Sequence, residues 1–351
     1  MVNRLLVFAS GGMKDPATRI RAYYMAQYLS KNDFDTKVYM YESVEGDIIK
    51  RSLHTFDDFL TKIRAVVSSD SMALVFMQRG IGWLPQLSLI FQFFSHYALR
   101  RKVIFDIDDA LFLTSPFITN NIIRQSDLVI VGGHELLSYV KKYNKNAFLI
   151  PTSADLSRYS RARVHRGDGI RLGFLGSPST NNYLRLTLNP LGTLAKSHDL
   201  ELRVISASSY TEYRPFNSLF ENFERNGVKV RLIPWSLNDE YYQLQDIDIG
   251  LAPLINGEWE RYKCGFKVIN YMAAGIPPVA SKVGEHCYIV QDGFNGFLCR
   301  DDQEWTEKLK KLIDDETLRK NMALNARKTV KESYSMEKNA KTLAEILAKL
   351  F

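Results

Sequence analysis

The sequence predicts an α/β protein of two doubly wound domains, each a parallel sheet covered by helices on both faces. Three observations predict it. Short runs rich in Val, Ile, Leu and Phe recur at residues 4–9, 36–40, 73–77, 102–107, 127–131 and 147–150, separated by longer amphipathic stretches. That rhythm is expected of βα units whose strands are buried on both sides. A second series follows at 170–175, 200–206, 228–233, 247–252 and 278–281. The length, 351 residues, is generous for one core and comfortable for two domains of ordinary size.

The first domain, residues 1–155, opens on the strand of "VNRLLVFASGG". Gly11 and Gly12 end that strand in a turn, either to let bare backbone approach a phosphate or a sugar closely or simply because a tight strand-to-helix turn prefers glycine. A third glycine at GxGxxG spacing is missing, which argues against a dinucleotide cofactor. Arg19 and Arg21 come next, placed either to meet a phosphate or to pair with acids. The stretch from Trp83 to Lys102, "WLPQLSLIFQFFSHYALRRK", is apolar on nearly every side and ends in three bases. A crossover helix should show a polar face, so this one meets either a membrane surface or protein partner, or a neighbouring helix. "VIFDIDDALF" then puts Asp106, Asp108 and Asp109 at a strand end, either facing a ligand or capping a turn in solvent. His134 follows the next strand and two glycines, near a ligand or merely opening a helix.

Residues 156–169 are polar, basic and closed by glycine, as a linker should be. The second domain, residues 170–335, opens like the first with "GIRLGFLGSPST", where Gly176 and Ser177 are placed for phosphate and Thr180 for a helix cap. Its key segment is "ERYKCGFKVINYMAAGIPPVAS". Phe266, Ile269, Met272 and Ala273 share one helical face and Lys263, Lys267 and Asn270 another, with Gly275 and the two prolines as the stop. Basic groups gathered at a helix start suit a diphosphate, whereas a solvated basic face is the plain alternative. From Trp305 the pattern is helical, and a last helix, residues 336–351, suits either domain.

The net charge of +7 sits in the first half and the linker, since residues 172–351 balance. Nucleic acid is disfavoured, because no dense basic run with interleaved aromatics occurs. Cys264, Cys287 and Cys299 stand singly, which fits a reducing compartment and no structural zinc. No apolar run of about 18 residues is present. The expected location is the cytoplasm, with loose membrane attachment through the first domain.

"FKVINYMAAGIPPVAS" followed by "VGEHCYIVQDGFNGFLC" resembles the donor-site region of family 4 glycosyltransferases, and the likeness covers most of residues 170–335. The resemblance implies the GT-B fold, two Rossmann-like domains facing a central cleft. It implies a glycosyltransferase that takes a nucleotide-diphosphate sugar, retains anomeric configuration, needs no metal or other cofactor, and serves a glycan or lipid-linked acceptor. Gly11, Gly12, Arg19, Gly176, Ser177, Arg261, Lys263, Lys267 and Asn270 are then expected at the donor, and Glu260 with Asp108 and Asp109 at the reacting sugar and acceptor. The family's Glu-x7-Glu pair falls here on Tyr262 and Asn270, so Glu258 or Glu260 would serve by a shifted register. Asp106-x-Asp108 imitates the metal-binding pattern of the GT-A fold, which the two-domain rhythm opposes. A non-catalytic nucleotide-sugar-binding protein and a nucleotide-sugar epimerase are the alternative readings.

Overall fold

The computed structural model describes every residue except 1, 2, 43, 45, 46, 83, 160–168 and 207–209. The chain forms two compact units: Met1–Ser153 with Tyr262–Cys264 and Met336–Phe351, and Ala154–Arg261 with Gly265–Ser335. Each is built on one six-stranded parallel sheet.

The first unit contributes β1 (Asn3–Ala9), β2 (Phe34–Met40), β3 (Leu74–Gln78), β4 (Val103–Ile107), β5 (Leu128–Val131) and β6 (Ala147–Leu149). Their order across the sheet is β2-β1-β3-β4-β5-β6. The interior strands β3, β4 and β5 are buried at every residue, which is why they read as unbroken apolar runs. Strand order reverses between β1 and β3, and loops at the carboxyl ends of such a pair form the ligand-binding position of doubly wound sheets.

The second unit contributes β7 (Ile170–Leu175), β8 (Leu200–Ile205), β9 (Lys229–Leu232), β10 (Ile249–Ala252), β11 (Pro278–Ser281) and β12 (Phe297–Cys299), ordered β12-β11-β10-β7-β8-β9. Its reversal lies between β7 and β10. The sheet is covered on both sides: Leu172, Phe174, Leu202 and Leu251 pack on the face of Trp305 and Leu309, and Leu175, Ile205 and Ala252 on the face of Val268 and Met272.

The eleven strands expected from the sequence all form, and β12 is an additional one, three residues long. The linker differs: Ala154 bonds to the carbonyl of Tyr334 at 2.8 Å and Tyr159 is buried in the second unit, so only residues 160–168 of that segment lie outside the described residues. The last helix, Met336–Leu347, packs with the first unit, burying Ala340, Leu343 and Leu347 against the helix Met25–Leu29. Among the described residues no helix is long and apolar enough to cross a membrane.

The helix expected over residues 83–102 runs from Pro85 to Phe93 and continues as a wide turn over Phe94–Ala98; Trp83 lies outside the described residues. Its inward face is mixed, with Phe91 fully buried against Phe8 beside polar residues. Ser88, Gln92 and Ser95 are buried, Gln92 donating to the Ile122 carbonyl and to Ser126 at 2.9 Å each, while Ile90, Phe93 and Tyr97 are more than half exposed. Ser88 accepts from the Ile81 N–H at 3.1 Å and the Gln92 amide nitrogen is paired, which offsets part of the cost of burying them, whereas Gln92 Oε1 and Ser95 Oγ have no hydrogen-bond partner among the described residues.

Candidate active site

In the second unit the site assembles around the helix Phe266–Ala274. Gly265 precedes it with φ +66 and Gly275 closes it with φ +75, both left-handed positions that glycine takes without strain. Tyr271 anchors it to the sheet: its hydroxyl accepts from the Leu175 N–H at 2.7 Å and lies 3.0 Å from the Gly173 carbonyl and 3.2 Å from that of Leu251. The ring fits because β10 carries Gly250, where a Cβ would overlap it. That anchor puts the helix start beside the carboxyl ends of β7 and β10. Lys267 lays its ammonium 4.1 Å from the Phe174 ring centre and donates to Thr180 Oγ1 at 3.0 Å. A Cβ at position 176 would come within 2.7 Å of Lys267 Nζ, so Gly176 is what lets the ammonium reach the loop. Unpaired N–H groups of the first helical turn and this ammonium together favour an anion.

Beside them, Glu260 sits on the turn Glu258–Arg261, 9% exposed, with the Tyr183 hydroxyl donating to its Oε1 at 2.5 Å. His286 is buried, its Nδ1–H directed at the Ser281 carbonyl at 3.0 Å. Burial first, and then the nearby Lys267, lower its pKa to about 4 against that hydrogen bond, so the ring is neutral at pH 7. Arg261 is exposed and donates to Asn256 Oδ1 at 3.0 Å, and Ser177 is exposed with its hydroxyl 3.1 Å from that of Ser179.

In the first unit the carboxyl ends of β1, β3 and β4 carry two guanidinium–carboxylate pairs. Arg21 binds both oxygens of Asp106, at 2.9 and 2.6 Å, and the Ile150 carbonyl at 3.0 Å. Arg79, in the left-handed region with φ +59, binds both oxygens of Asp108, at 2.5 and 3.1 Å, and lies 3.7 Å from Asp109 and 3.9 Å from Asp15. A non-glycine residue held there costs on the order of 1 to 3 kcal/mol, and such strain concentrates at functional sites. Burial pushes the Asp109 carboxyl above its usual range, against the attraction of Arg79 and Lys263.

Residues 169–315 match the family described as Glycosyl transferases group 1. Over that stretch, somewhat under half of the chain, the protein resembles a group 1 glycosyltransferase domain. Over 81 residues the chain is 32% identical to N-acetyl-alpha-D-glucosaminyl L-malate synthase of Bacillus anthracis, a match covering 22% of this chain and 21% of that protein. The chain thus matches about a fifth of that relative's length. Among solved structures, sucrose-phosphate synthase of Thermosynechococcus elongatus superposes with a TM-score of 0.76 at 14% identity, over 100% of this chain and 99% of that one. HepE of Anabaena in complex with UDP and glucose gives 0.72 at 14%, over 99% and 100%. A glycosyltransferase from Rickettsia africae gives 0.72 at 12%, over 99% and 98%. At such identities the likeness is one of fold, and the fold is GT-B.

The second unit brings together Gly176, Ser177, Lys267 and Glu260 of the expected residues, and several others stand elsewhere. Lys263 does not share a helical face with Lys267, because the helix begins only at Phe266 and Lys263 belongs to the first unit, where it faces Asp109. Asn270 is 1% exposed with its amide oxygen taken by the Tyr159 hydroxyl, so it is a core residue in this conformation and no ribose ligand. Arg19 is fully buried and donates to the Met13 carbonyl at 2.8 Å, bracing the glycine turn from within instead of meeting a phosphate. Gly11 lies against Asp15 and Thr18, and a Cβ on Gly12 would stand 2.6 Å from the Glu42 carboxylate. Those acids repel a phosphate at the first glycine turn, contrary to the sequence expectation. Asp106 and Asp108 are each held by a guanidinium, and among the described residues no three His, Cys, Asp or Glu side chains gather as a metal set. His134 is the first residue of the helix His134–Val140. Tyr183, Tyr271 and His286 stand in no local pattern that marks them for the site, and Arg79 alone of the unexpected residues carries a local signal, next to a glycine at a strand end in "MQRGIG".

Proposed function

We propose that the protein transfers a glycosyl group from a nucleoside-diphosphate sugar, held by the second unit, to a glycan or lipid-linked hydroxyl held by the first. The observation that carries this reading is the close approach of Lys267 to the Gly176 loop at the strand-order reversal of a group 1 glycosyltransferase domain. As the bond to the sugar breaks, negative charge gathers on the leaving diphosphate. The helix N–H groups and the Lys267 ammonium are fixed in advance where that charge grows, so they stabilise the transition state more than the bound substrate. Glu260 is assigned to the sugar, and Asp109, with its raised proton affinity, to the acceptor hydroxyl, with Asp108 beside it. Ser177 and Arg261 complete the donor side. Transfer proceeds with retention and without a metal in this reading; UDP is the first nucleotide to try, because HepE was solved with UDP and glucose.

The test is calorimetric titration with UDP, GDP, ADP and NAD, with and without EDTA. Selective binding of one nucleoside diphosphate that survives EDTA is expected. Binding only with a divalent cation would overturn the metal-free donor site, and no binding would overturn the donor site altogether. Product analysis without acceptor separates an epimerase, and binding without hydrolysis or transfer a non-catalytic protein.

The outward Ile90, Phe93 and Tyr97 favour a membrane-surface contact for the first unit, supported by Ile49, Leu53 and Phe56, exposed on the helix Ile48–Val67 with Lys50 and Arg51. Apolar side chains flanked by bases suit an anionic lipid surface. Co-sedimentation with anionic vesicles at low salt is expected, and its absence would remove the contact.

A further inference from the structure

Glu260 is a buried carboxylate with no ion pair to a basic side chain among the described residues. Its one hydrogen-bond donor there is the Tyr183 hydroxyl, 2.5 Å from Oε1, supplied by the turn that follows β7. On the opposite side Gly257 lies so close that a Cβ would overlap Oε2. The carboxylate is therefore gripped at one oxygen and backed by bare glycine at the other. An ionised carboxylate offers about four lone-pair sites, and a buried one served by a single neutral donor is costly until further donors arrive. Sugar hydroxyls are donors of that kind. The Tyr183 ring lies 6.0 Å from Lys267 Nζ, so the phenol that holds Glu260 stands near the ammonium.

We propose that Tyr183 is a positioning residue: it orients Glu260 toward the sugar of the donor, so that the second unit distinguishes a nucleotide sugar from the bare nucleotide. This rests on the donor-site reading above. A short bond from a phenol to a carboxylate is a strong, directional restraint. It leaves Oε2 for a hydroxyl of the sugar, a contact that UDP alone lacks.

The test compares UDP with UDP-glucose by calorimetry in wild type, Tyr183→Phe and Glu260→Gln, and follows release of glucose from UDP-glucose in each. Tyr183→Phe keeps the ring and loses the grip on Glu260. It should leave UDP affinity and the melting temperature unchanged, weaken UDP-glucose about tenfold, the worth of one hydrogen bond to a charged group, and slow glucose release. Gly257→Ala, which displaces Oε2 from the other side, should do the same. A merely structural role would lower UDP and UDP-glucose binding together, and that result would overturn the proposal. Loss of discrimination in Glu260→Gln with none in Tyr183→Phe would overturn the Tyr183 role alone. Undisturbed discrimination in Glu260→Gln would overturn the assignment of Glu260, and wild type that binds neither ligand would overturn the donor site and this inference with it.

Discussion

Lys267 and His286 show how much a single side chain's meaning depends on its surroundings. On the proposed donor-site reading, removing the Lys267 ammonium takes one charge-assisted contact from the diphosphate, worth about 1.5 to 3 kcal/mol. Lys267→Ala should thus weaken UDP by roughly ten- to a hundredfold while the unit stays folded, because the side chain is only half-buried and Tyr271 still anchors the helix. Calorimetry with a melting curve checks both, and unaltered affinity would remove Lys267 from the site. His286 titrates near pH 4 in the folded unit, below the ordinary value of 6.5. Between those values the unfolded chain binds a proton that the folded unit does not, so stability falls as pH drops from 6.5 toward 4, by on the order of 3 kcal/mol. Melting curves at pH 7, 6, 5 and 4 should show this slope in wild type and a shallower one in His286→Gln; equal slopes would mean that His286 charges freely. Lys267 was legible because its signal is local: glycine, lysine and an apolar face within one helix. Tyr183 and Arg79 were not, since their carboxylate partners lie 77 and 29 residues away and only the fold brings them together.

At the scale of elements, the helix Phe266–Ala274 was half legible. Its end was written in Gly275 and the following prolines, but its start carried no Ser, Thr, Asp or Asn cap, so the lysine spacing suggested a helix reaching back through Lys263. Gly265, in a left-handed conformation, begins it instead, and nothing in the residue type alone distinguishes such a glycine from one at a helix end. The two bounding glycines should respond differently to alanine. At Gly275 no atom lies within 4 Å of an added Cβ, so Gly275→Ala carries only the left-handed penalty, about 1 to 2 kcal/mol. At Gly265 the Cβ would overlap Ile289 Cδ1, so Gly265→Ala adds a packing conflict and displaces the helix start beside Lys267. Gly265→Ala should lower the melting temperature more than Gly275→Ala and weaken UDP as well, and equal effects in both assays would contradict this account of the helix start.

Across the whole molecule, the alternation of strands and helices was legible because parallel strands buried on both faces leave unbroken apolar runs, whereas the allotment of the later segments to units was not. Two sheets of equal strand number arise from one rhythm, yet the first runs 2-1-3-4-5-6 and the second, counted from its own first strand, 3-2-1-4-5-6. Strand order depends on which crossover passes over which face, and no run of residues records that. Nor does an amphipathic pattern name its partner: Met336, Ala340, Leu343 and Leu347 mark a buried stripe on the last helix without saying which unit receives it. They pack with the first unit, and Asn339 donates to Ser153 Oγ at 2.8 Å within it. Leu343 is 1% exposed, so Leu343→Ala removes a fully buried side chain at about 2 to 5 kcal/mol. That loss falls on the first unit, while Gly176, Lys267, Glu260 and His286 all belong to the second. Leu343→Ala should accordingly lower the first thermal transition and leave UDP affinity at 25 °C as in wild type. A variant that lost UDP binding in step with stability would show that the last helix supports the donor site, against the division of the chain into these two units.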